Sequence, residues 1–455
     1  MMKNDIPLVL TETISKFELI ASYLIFILKK SYYYINLIDG LMALIIYHLV
    51  FLLLLPFLLL NLIIKGIKNH LYFKNIHHRF GFGHNNVGNI NQNPVLIHAV
   101  SLGEVLGIKD FVKRLEINHN LVISVSTATG FQKANELFGS KHRVIYAPWD
   151  FVLFINKFLS TVRPQIILLF ETEIWPALIS VATKQSIPVI LLNGRLSKKS
   201  FTVYSFFSYL ISPIIQSMKH IFVQTQIHKE RFCRLGANQK DISVVSSVKF
   251  DLQEEAPVNV KEHLKSFLLA ASTHPGEEKI IIDIFKNLIQ QNIYQGRLVI
   301  CPRHPERSNG IARLVKSQGL IVSKYSTMTT DDDPEVCVID EIGLLTSLYP
   351  RALCTFMGGS MVPRGGHNLA EPACYGTPIV TGRHNFNFDG MVNSFLDSNA
   401  CLIANSNLEL FNSIDRILND PELSSSLIKN AKQVLIDNRG STEKQASYII
   451  KSLNQ

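Results

Sequence analysis

Glutamates stand directly after apolar runs at two places in the first half of this chain. Glu104 follows the run 95–99, and Glu171 and Glu173 follow the run 165–170. A carboxylate at such a position can take a proton from a hydroxyl group, which is general base catalysis. Two alternatives stay open. A glutamate at a helix start can be a cap or a dipole partner, and paired charges such as Glu171 or Glu173 with Arg195 can be structural.

The most polar stretch of the second half, residues 356–388, contains two glycine pairs between apolar runs. The pairs are surrounded by basic, amide and acidic side chains: Gly358, Gly359, Ser360, Arg364, Gly365, Gly366, His367, Asn368, Glu371 and Asn387. A helix is predicted from residue 370, and the free N–H groups at a helix N-terminus suit phosphate. A single glycine pair usually marks only a turn, but this combination predicts a site for an anionic ligand.

Two further segments of the second half place basic residues after apolar runs. They carry Ser272, His274, Arg303, His304 and Arg307. Arginines in such loops suit a phosphate or carboxylate, because guanidinium groups bind these anions in bidentate fashion. Either histidine can instead be a core residue with satisfied hydrogen bonds.

The elements that must position these residues alternate between short apolar strands and helices. Predicted strands are 95–99, 121–125, 165–170, 187–192, 220–223, 267–271, 296–300, 336–339, 352–357 and 378–381, with helices at 105–115 and 424–453. A polar, proline-bearing segment at 251–263 divides the pattern into two parts. The carboxyl ends of parallel strands form the ligand crevice of such sheets, so the polar loops are expected to converge. The pattern predicts two doubly wound α/β domains that face a cleft.

Charge and cysteine usage narrow the class of protein. The net charge of +9 is compatible with nucleic acid, anionic lipid or a small anionic substrate. The basic residues lack interleaved aromatic residues, so nucleic acid is not expected as a partner. The six cysteines are scattered without metal-ligand spacing, which indicates buried thiols in a reducing, cytosol-facing compartment. Residues 331–333 are a solvated acidic loop, and no Asp-x-Asp pair is placed to hold a metal at a donor phosphate.

Residues 41–64 carry no formal charge and predict a membrane-spanning helix. Their length as a helix is about 36 Å, which exceeds the roughly 30 Å hydrocarbon layer. A signal peptide is disfavoured because the stretch begins late and no cleavage-site pattern follows it, and a buried core helix is the other alternative. Lys65, Lys68, Lys74 and Arg79 follow and favour a cytoplasmic position for the rest of the chain, although Lys29 and Lys30 weaken this bias. The same basic residues are expected to attract an anionic membrane surface.

Several motifs, in order, resemble the 3-deoxy-D-manno-octulosonic acid (Kdo) transferases of lipopolysaccharide assembly. They are HAVSLGE from residue 98, ETEIWP from 171, NGRLS from 193, KFD from 249, STHPGEE from 272, RHPER from 303, GGSMVPRGGHNLAEP from 358 and NF from 387. The resemblance runs from about residue 47 to the C-terminus. The chain departs from the family at Ser246 and Ser247, where Gly-Asn is usual, and at Leu344, where Glu is usual.

The resemblance implies a GT-B fold and an inverting glycosyltransferase that moves Kdo from CMP-Kdo to the lipid A precursor at the cell inner membrane. Together with the apolar span and the polar break, it predicts an anchor at 41–64, a Rossmann-like acceptor domain at 65–252, a Rossmann-like CMP-Kdo-binding domain at 264–435 and a C-terminal helix at 436–455. The lead at 1–40 lies outside the resemblance. Glu104 is then the general base, Glu171 a second catalytic carboxylate and Glu371 the acid that contacts the ribose. Acceptor-side residues are Ser101, Gly103, Glu173 and Arg195, and the basic and glycine-rich residues named above bind the donor. No cofactor and no metal are expected.

Two other classes share part of this pattern. A sugar-nucleotide epimerase has a similar two-domain fold and a basic donor site, but it has no need of the span at 41–64. A non-catalytic, nucleotide-binding membrane protein would not need Glu104 opposite the basic residues of the predicted donor site. Another membrane-associated GT-B glycosyltransferase is the third alternative.

Overall fold

Two seven-stranded parallel sheets form the frame of the computed structural model. It describes residues 40–83, 93–252, 260–262, 264–329 and 332–454. Residues 1–39 of the predicted lead, most of the predicted linker at 251–263, and Asp331 lie outside these ranges.

The first sheet has the order β3-β2-β1-β4-β5-β6-β7. Its strands are β1 (Val95–His98), β2 (Leu121–Val125), β3 (Arg143–Tyr146), β4 (Ile166–Phe170), β5 (Val189–Gly194), β6 (His220–Val223) and β7 (Ile242–Val244). The helices of this half are α1 (Gly40–Lys68), α2 (Leu102–Gly107), α3 (Lys109–Leu115), α4 (Ala128–Phe138), α5 (Val152–Val162), α6 (Pro176–Lys184), α7 (Lys198–Phe206), α8 (Ser208–Gln216) and α9 (Gln226–Arg234).

The second sheet has the order β10-β11-β9-β8-β12-β13-β14. Its strands are β8 (Phe267–Thr273), β9 (Arg297–Pro302), β10 (Val322–Lys324), β11 (Val336–Val338), β12 (Ala352–Met357), β13 (Ile379–Gly382) and β14 (Leu402–Ala404). The helices are α10 (Glu277–Gln290), α11 (Ser308–Ser317), α12 (Leu345–Leu348), α13 (Ala370–Cys374), α14 (Asp389–Asp397), α15 (Asn407–Asn419), α16 (Pro421–Asn438) and α17 (Ser441–Leu453).

Each sheet is buried on both faces, which explains why its strands are apolar without alternation. Strand β4 is an example: Ile167 and Leu169 lie in one core, and Ile166, Leu168 and Phe170 lie in the other. Because all strand pairs are parallel, the polar loops that follow the strands meet at one edge of each sheet.

All ten predicted strands are present, and the fold class predicted from the pattern is confirmed. The four strands that the pattern missed are β3, β7, β10 and β14, which are the outermost strands of the two sheets. The predicted helix at 105–115 is wrong as one element, because the chain breaks at Ile108 into α2 and α3. At the end of α2, a Cβ on Gly107 would meet the Phe170 ring at 2.8 Å.

The predicted helix at 424–453 is also two elements. Gly440 adopts φ 90°, a left-handed conformation that ends α16 and starts α17 in a new direction. Helix α17 returns to the first sheet, where Ala446 and Ile449 join the core. Asp251 holds the turn, because its carboxylate accepts the N–H groups of Gly440 at 2.7 Å and Thr442 at 2.6 Å.

Helix α1 contains the predicted span, and Met42–Ile67 is long and apolar enough to cross a membrane. Its first turns contact the first domain, where the Tyr47 hydroxyl donates to Asp150 Oδ2 at 2.9 Å and the Phe51 ring stacks on Phe151. Of the four basic residues that follow the predicted span, Arg79 does not face a membrane. It is 5% exposed, donates to the carbonyl of Ser126 and lies over the Tyr146 ring.

Candidate active site

Glu104 lies in the first turn of α2, at the carboxyl end of β1. Its side chain is buried, and its two oxygens accept separate hydrogen bonds. Oε2 accepts the N–H of Val100 and Oε1 accepts the Ser101 hydroxyl, both at 2.7 Å. Burial raises the pKa of Glu104 to about 7. The two hydrogen bonds hold the carboxyl group in place. With a pKa of about 7, it can exchange a proton near neutral pH.

Gly103 is exposed at the start of the same helix. A Cβ built on it would meet nothing within 4 Å. Packing therefore does not require glycine here, and the space in front of the helix is open beside Glu104.

Glu171 and Glu173 lie in the loop between β4 and α6. Glu171 has φ 63°, an unusual conformation for a residue other than glycine. Burial is the main cause that raises the pKa of Glu173 to about 8, and the charges of Glu104 and Glu171 add to it. A carboxyl group with a pKa of about 8 favours its protonated form at neutral pH. The indole N–H of Trp175 donates to Glu173 Oε2.

Arg195 does not pair with either of these glutamates, so the alternative of a structural pair with Arg195 is excluded. Its guanidinium group donates to the carbonyl of Asn387, in the second domain. The partner of Glu171 is Lys249, with Nζ 3.4 Å from Oε1. The Lys249 ammonium group also lies 4.8 Å from the centre of the Phe388 ring. Two side chains of the first domain thus reach the Asn387-Phe388 pair.

The glycine loop after β12 is organised by Glu277, which is 0% exposed. Its carboxylate accepts four backbone N–H groups, from Gly359 at 2.6 Å, Ser360 at 3.0 Å, Met361 at 2.9 Å and His274 at 2.9 Å. Gly359 and Ser360 were predicted to bind the donor, and their N–H groups are already bonded to this protein carboxylate. A Cβ on Gly358 would lie 2.6 Å from the carbonyl of Ser272, so close backbone approach requires this glycine.

The second glycine pair packs on the loop that carries Asn387. Gly365 and Gly366 have φ 97° and 72°. A Cβ on Gly365 would lie 2.2 Å from the Asn387 amide, and the Asn387 amide group donates to the carbonyl of Arg364 at 3.0 Å.

Helix α13 follows the second glycine pair and has five residues. Asn368 Oδ1 accepts the N–H of Ala370 at 3.1 Å. The Asn368 amide group donates to Glu371 Oε1 at 3.2 Å. The N-terminus of α13 is therefore partly capped by its own sequence.

A histidine pair lies beside this loop. The rings of His274 and His367 are stacked, with their Nε2 atoms 3.2 Å apart, and the His304 ring centre is 6.2 Å from that of His274. Burial, together with the charges of His274 and Arg303, lowers the pKa of His367 to about 4. The pKa of His274 is lowered by burial and by Arg364. Both rings are therefore neutral at pH 7.

The three predicted arginines differ in their surroundings. Arg307 pairs with the buried carboxylate of Glu278, with Nη1 2.8 Å from Oε1, and contacts the carbonyl of Thr273. Arg303 and Arg364 are exposed, and their guanidinium groups have no ion-pair partner within the described part of the chain. A ligand anion can therefore reach Arg303 and Arg364, whereas Arg307 already has a partner.

Four residues with evident structural roles at this site were not assigned from the sequence. They are His98, Lys249, Glu277 and Glu278. Each of the four lies inside one of the family motifs, and its position in a motif was the signal that could have identified it. Within the described ranges, no group of three or more His, Cys, Asp or Glu side chains could hold a metal ion.

Solved structures share the two-domain fold. A glycosyltransferase from Rickettsia africae is 15% identical, with a TM-score of 0.55, over 80% of this chain and 99% of that chain. The S. aureus MnaA-UDP complex is 12% identical, with a TM-score of 0.55, over 80% of this chain and 97% of that chain. At these identities the likeness shows the fold alone, and the epimerase alternative has no support beyond it.

Sequence relatives define the class and then the family. The model of the 3-deoxy-D-manno-octulosonic-acid transferase family matches residues 74–252. A Haemophilus influenzae 3-deoxy-D-manno-octulosonic acid transferase is 28% identical over 86% of this chain and 94% of its own length. A probable mitochondrial relative of the same name from Arabidopsis thaliana is 30% identical over 78% of this chain and 83% of its own length. The protein is a glycosyltransferase of the GT-B fold. It belongs to the 3-deoxy-D-manno-octulosonic acid transferase family.

Proposed function

We propose that this enzyme transfers Kdo from CMP-Kdo to a lipid A precursor with inversion at the anomeric carbon. The observation that carries the proposal is the buried Glu104 carboxyl group, fixed by Val100 and Ser101, in a chain of this family. A base at this position, on the opposite domain from Arg303 and Arg364, suits a reaction between a hydroxyl group and an anionic donor.

In the proposed reaction, Glu104 accepts the proton of the acceptor hydroxyl group. The hydroxyl oxygen then forms a bond to the anomeric carbon of Kdo, on the face opposite the departing group. The bond from that carbon to the phosphate oxygen breaks, and CMP leaves with the electron pair. Arg303 and Arg364 stabilise the negative charge that develops on the phosphate, as preorganised cations do at transferring groups. Protonated Glu173 donates a hydrogen bond on the acceptor side.

We further propose that α1 anchors the enzyme in the cell inner membrane, with both α/β domains on the cytoplasmic side. The exposed stripe of apolar residues along α1 supports contact with lipid: Met42, Ile45, Leu49, Leu52, Leu53, Leu60, Ile63 and Ile67. Lys65 and Lys74 are exposed at its end and suit an anionic membrane surface.

The test is CMP release from CMP-Kdo by purified enzyme in detergent, with and without the lipid A precursor. We expect release only with acceptor, and a product larger by one or more Kdo units by mass spectrometry. Glu104→Gln keeps the shape of the side chain but cannot accept the proton, so turnover should fall by about a hundredfold or more. CMP affinity should stay unchanged. If Glu104→Gln enzyme binds CMP normally and turns over within about tenfold of wild type, Glu104 is not the base and Glu171 takes its place.

A further inference from the structure

His98 opens the HAVSLGE motif, and the proposed chemistry gives it no role. It lies at the carboxyl end of β1, is 2% exposed, and its Nδ1 lies 2.7 Å from the Ser124 hydroxyl. Nε2 has no hydrogen-bond partner among the described residues. A buried polar atom without a partner reduces stability, so an apolar residue would serve the core better. The imidazole therefore needs another explanation.

The His98 ring contacts one residue of the active-site loop. Its centre lies 4.9 Å from that of the Trp175 ring, and the two rings are nearly perpendicular, at 83°. Trp175 in turn donates its indole N–H to Glu173 Oε2. One line of contacts therefore runs from the sheet, through His98 and Trp175, to the acceptor-side carboxyl group.

Packing around Trp175 is incomplete on the side of His98. A small cavity there is lined by Trp175, His98, Ser124 and apolar residues that include Phe158 and Leu178. Atoms that line a cavity lack van der Waals partners on that side, so they are less firmly fixed. The His98 ring, bonded to Ser124 and nearly perpendicular to the indole, is then a contact that restrains the indole on this side.

We propose that His98 is a positioning residue for Glu173, which it orients by fixing the Trp175 ring. The proposal rests on the proposed function, because it assumes that Glu173 faces the acceptor hydroxyl. A small displacement of a group that contacts the reacting atoms lowers the rate strongly, so a residue behind it can control turnover.

Fluorescence tests the contact itself. The chain has two tryptophans, so Trp149→Phe leaves Trp175 as the sole indole. In this background, His98→Ala should increase the quenching of Trp175 emission by acrylamide by about twofold, because the indole loses its contact with the imidazole and becomes more accessible on that side. The matched control is His220→Ala. His220 is 7% exposed and lies 2.9 Å from the Ser243 hydroxyl, but it is at the opposite end of the sheet, at the start of β6. It should leave Trp175 emission unchanged.

Kinetics test the connection to Glu173. His98→Ala should lower kcat/KM for the acceptor by about tenfold with CMP affinity unchanged, whereas His220→Ala should not. In a Glu173→Gln background, His98→Ala should lower kcat/KM for the acceptor by less than about twofold. The effects of two substitutions are not additive when one residue acts through the other. His98→Phe keeps an aromatic edge against Trp175 and should recover most of the rate.

Equal effects of His98→Ala and His220→Ala on emission and rate would overturn the proposal. So would full additivity of His98→Ala with Glu173→Gln. If wild-type enzyme transfers no Kdo, the proposed function fails separately. Unchanged Trp175 emission in His98→Ala would then still refute the contact, and increased quenching would support it.

Discussion

At the scale of single residues, Glu104 combines the contacts of a helix cap with the proposed role of general base. Its hydrogen bonds with Val100 and Ser101 are those of a capping residue in the first helical turn. Each carboxylate oxygen has two lone pairs, so both oxygens can still accept another proton or hydrogen bond. The capping contacts fix the carboxylate in space, and burial provides the raised pKa.

The raised pKa gives a pH dependence with a definite sign. In the proposed reaction the ionised form of Glu104 accepts the proton, so kcat/KM should rise with pH through about 7. The Ser101 hydroxyl group stabilises the ionised form and lowers this pKa. Ser101→Ala should therefore move the acid limb of the profile to higher pH. The measurement is kcat/KM from pH 5 to 9. Ser217→Ala, whose hydroxyl bonds to the carbonyl of Ile214 away from the site, is the control and should not move the limb. A limb that stays near the ordinary carboxyl value would exclude Glu104 as the titrating group.

At the scale of elements, strand position determined which strands were recognisable. The four missed strands are the outer strands, and each has three or four residues. Three of them, β7, β10 and β14, have at most one fully buried residue. Inner strands are covered on both faces and are therefore continuously apolar, whereas edge strands need no such run.

The proposed role of helix α1 as a membrane anchor can be tested by deleting it. Deletion of residues 1–64 should make the protein extractable by salt, because the apolar stripe that contacts lipid is lost. We expect the α/β domains to stay folded, since Asp150 keeps its bonds to the N–H groups of Ala177 at 3.0 Å and Leu178 at 2.8 Å without Tyr47. Membrane fractionation with salt and carbonate, together with thermal unfolding, measures both.

Two outcomes would contradict the role of α1 as a membrane anchor. One is a truncated protein that resists both salt and carbonate. The other is loss of the folded first domain on truncation, since this would make α1 a packed element of that domain through Tyr47 and Phe51. A helix that crosses the bilayer leaves the domain stable without it.

At the scale of the whole molecule, three consecutive residues connect the two domains. Lys249 bonds to Glu171 and lies over Phe388. Phe250 stacks on Phe395, with ring centres 6.5 Å apart. Asp251 caps the returning helix α17. The KFD motif thus contacts Glu171 of the candidate site, the second domain and the place where the chain crosses back.

Because Asp251 holds the returning helix α17, we expect this residue to restrain the relative orientation of the two domains. Asp251→Ala removes two charge-assisted bonds that hold α17 on the first domain, so the free energy of unfolding should fall by about 1–2 kcal/mol. The relative motion of the domains should also increase, which small-angle scattering would record as a larger radius of gyration. Asp420→Ala is the matched control, since Asp420 caps α16 through Leu423 at 2.9 Å within the second domain. It should lower stability comparably and leave the radius unchanged. An unchanged radius in both variants would show that Asp251 does not hold the domains together.

The sequence by itself determined the order of the elements, the ten inner strands and the polar segments of the candidate site. Each of these depends on neighbouring residues: an apolar run that buries on both faces, or polar residues that follow it. Tertiary structure alone decided which polar groups are already bonded. Glu277 reaches Gly359 across 82 residues, and Arg195 reaches Asn387 across 192. Arg79 is buried under the first sheet's loops instead of facing lipid. The reason is physical: a charged side chain takes whatever partner the fold brings within hydrogen-bond distance, and that distance is set by the packing of both sheets.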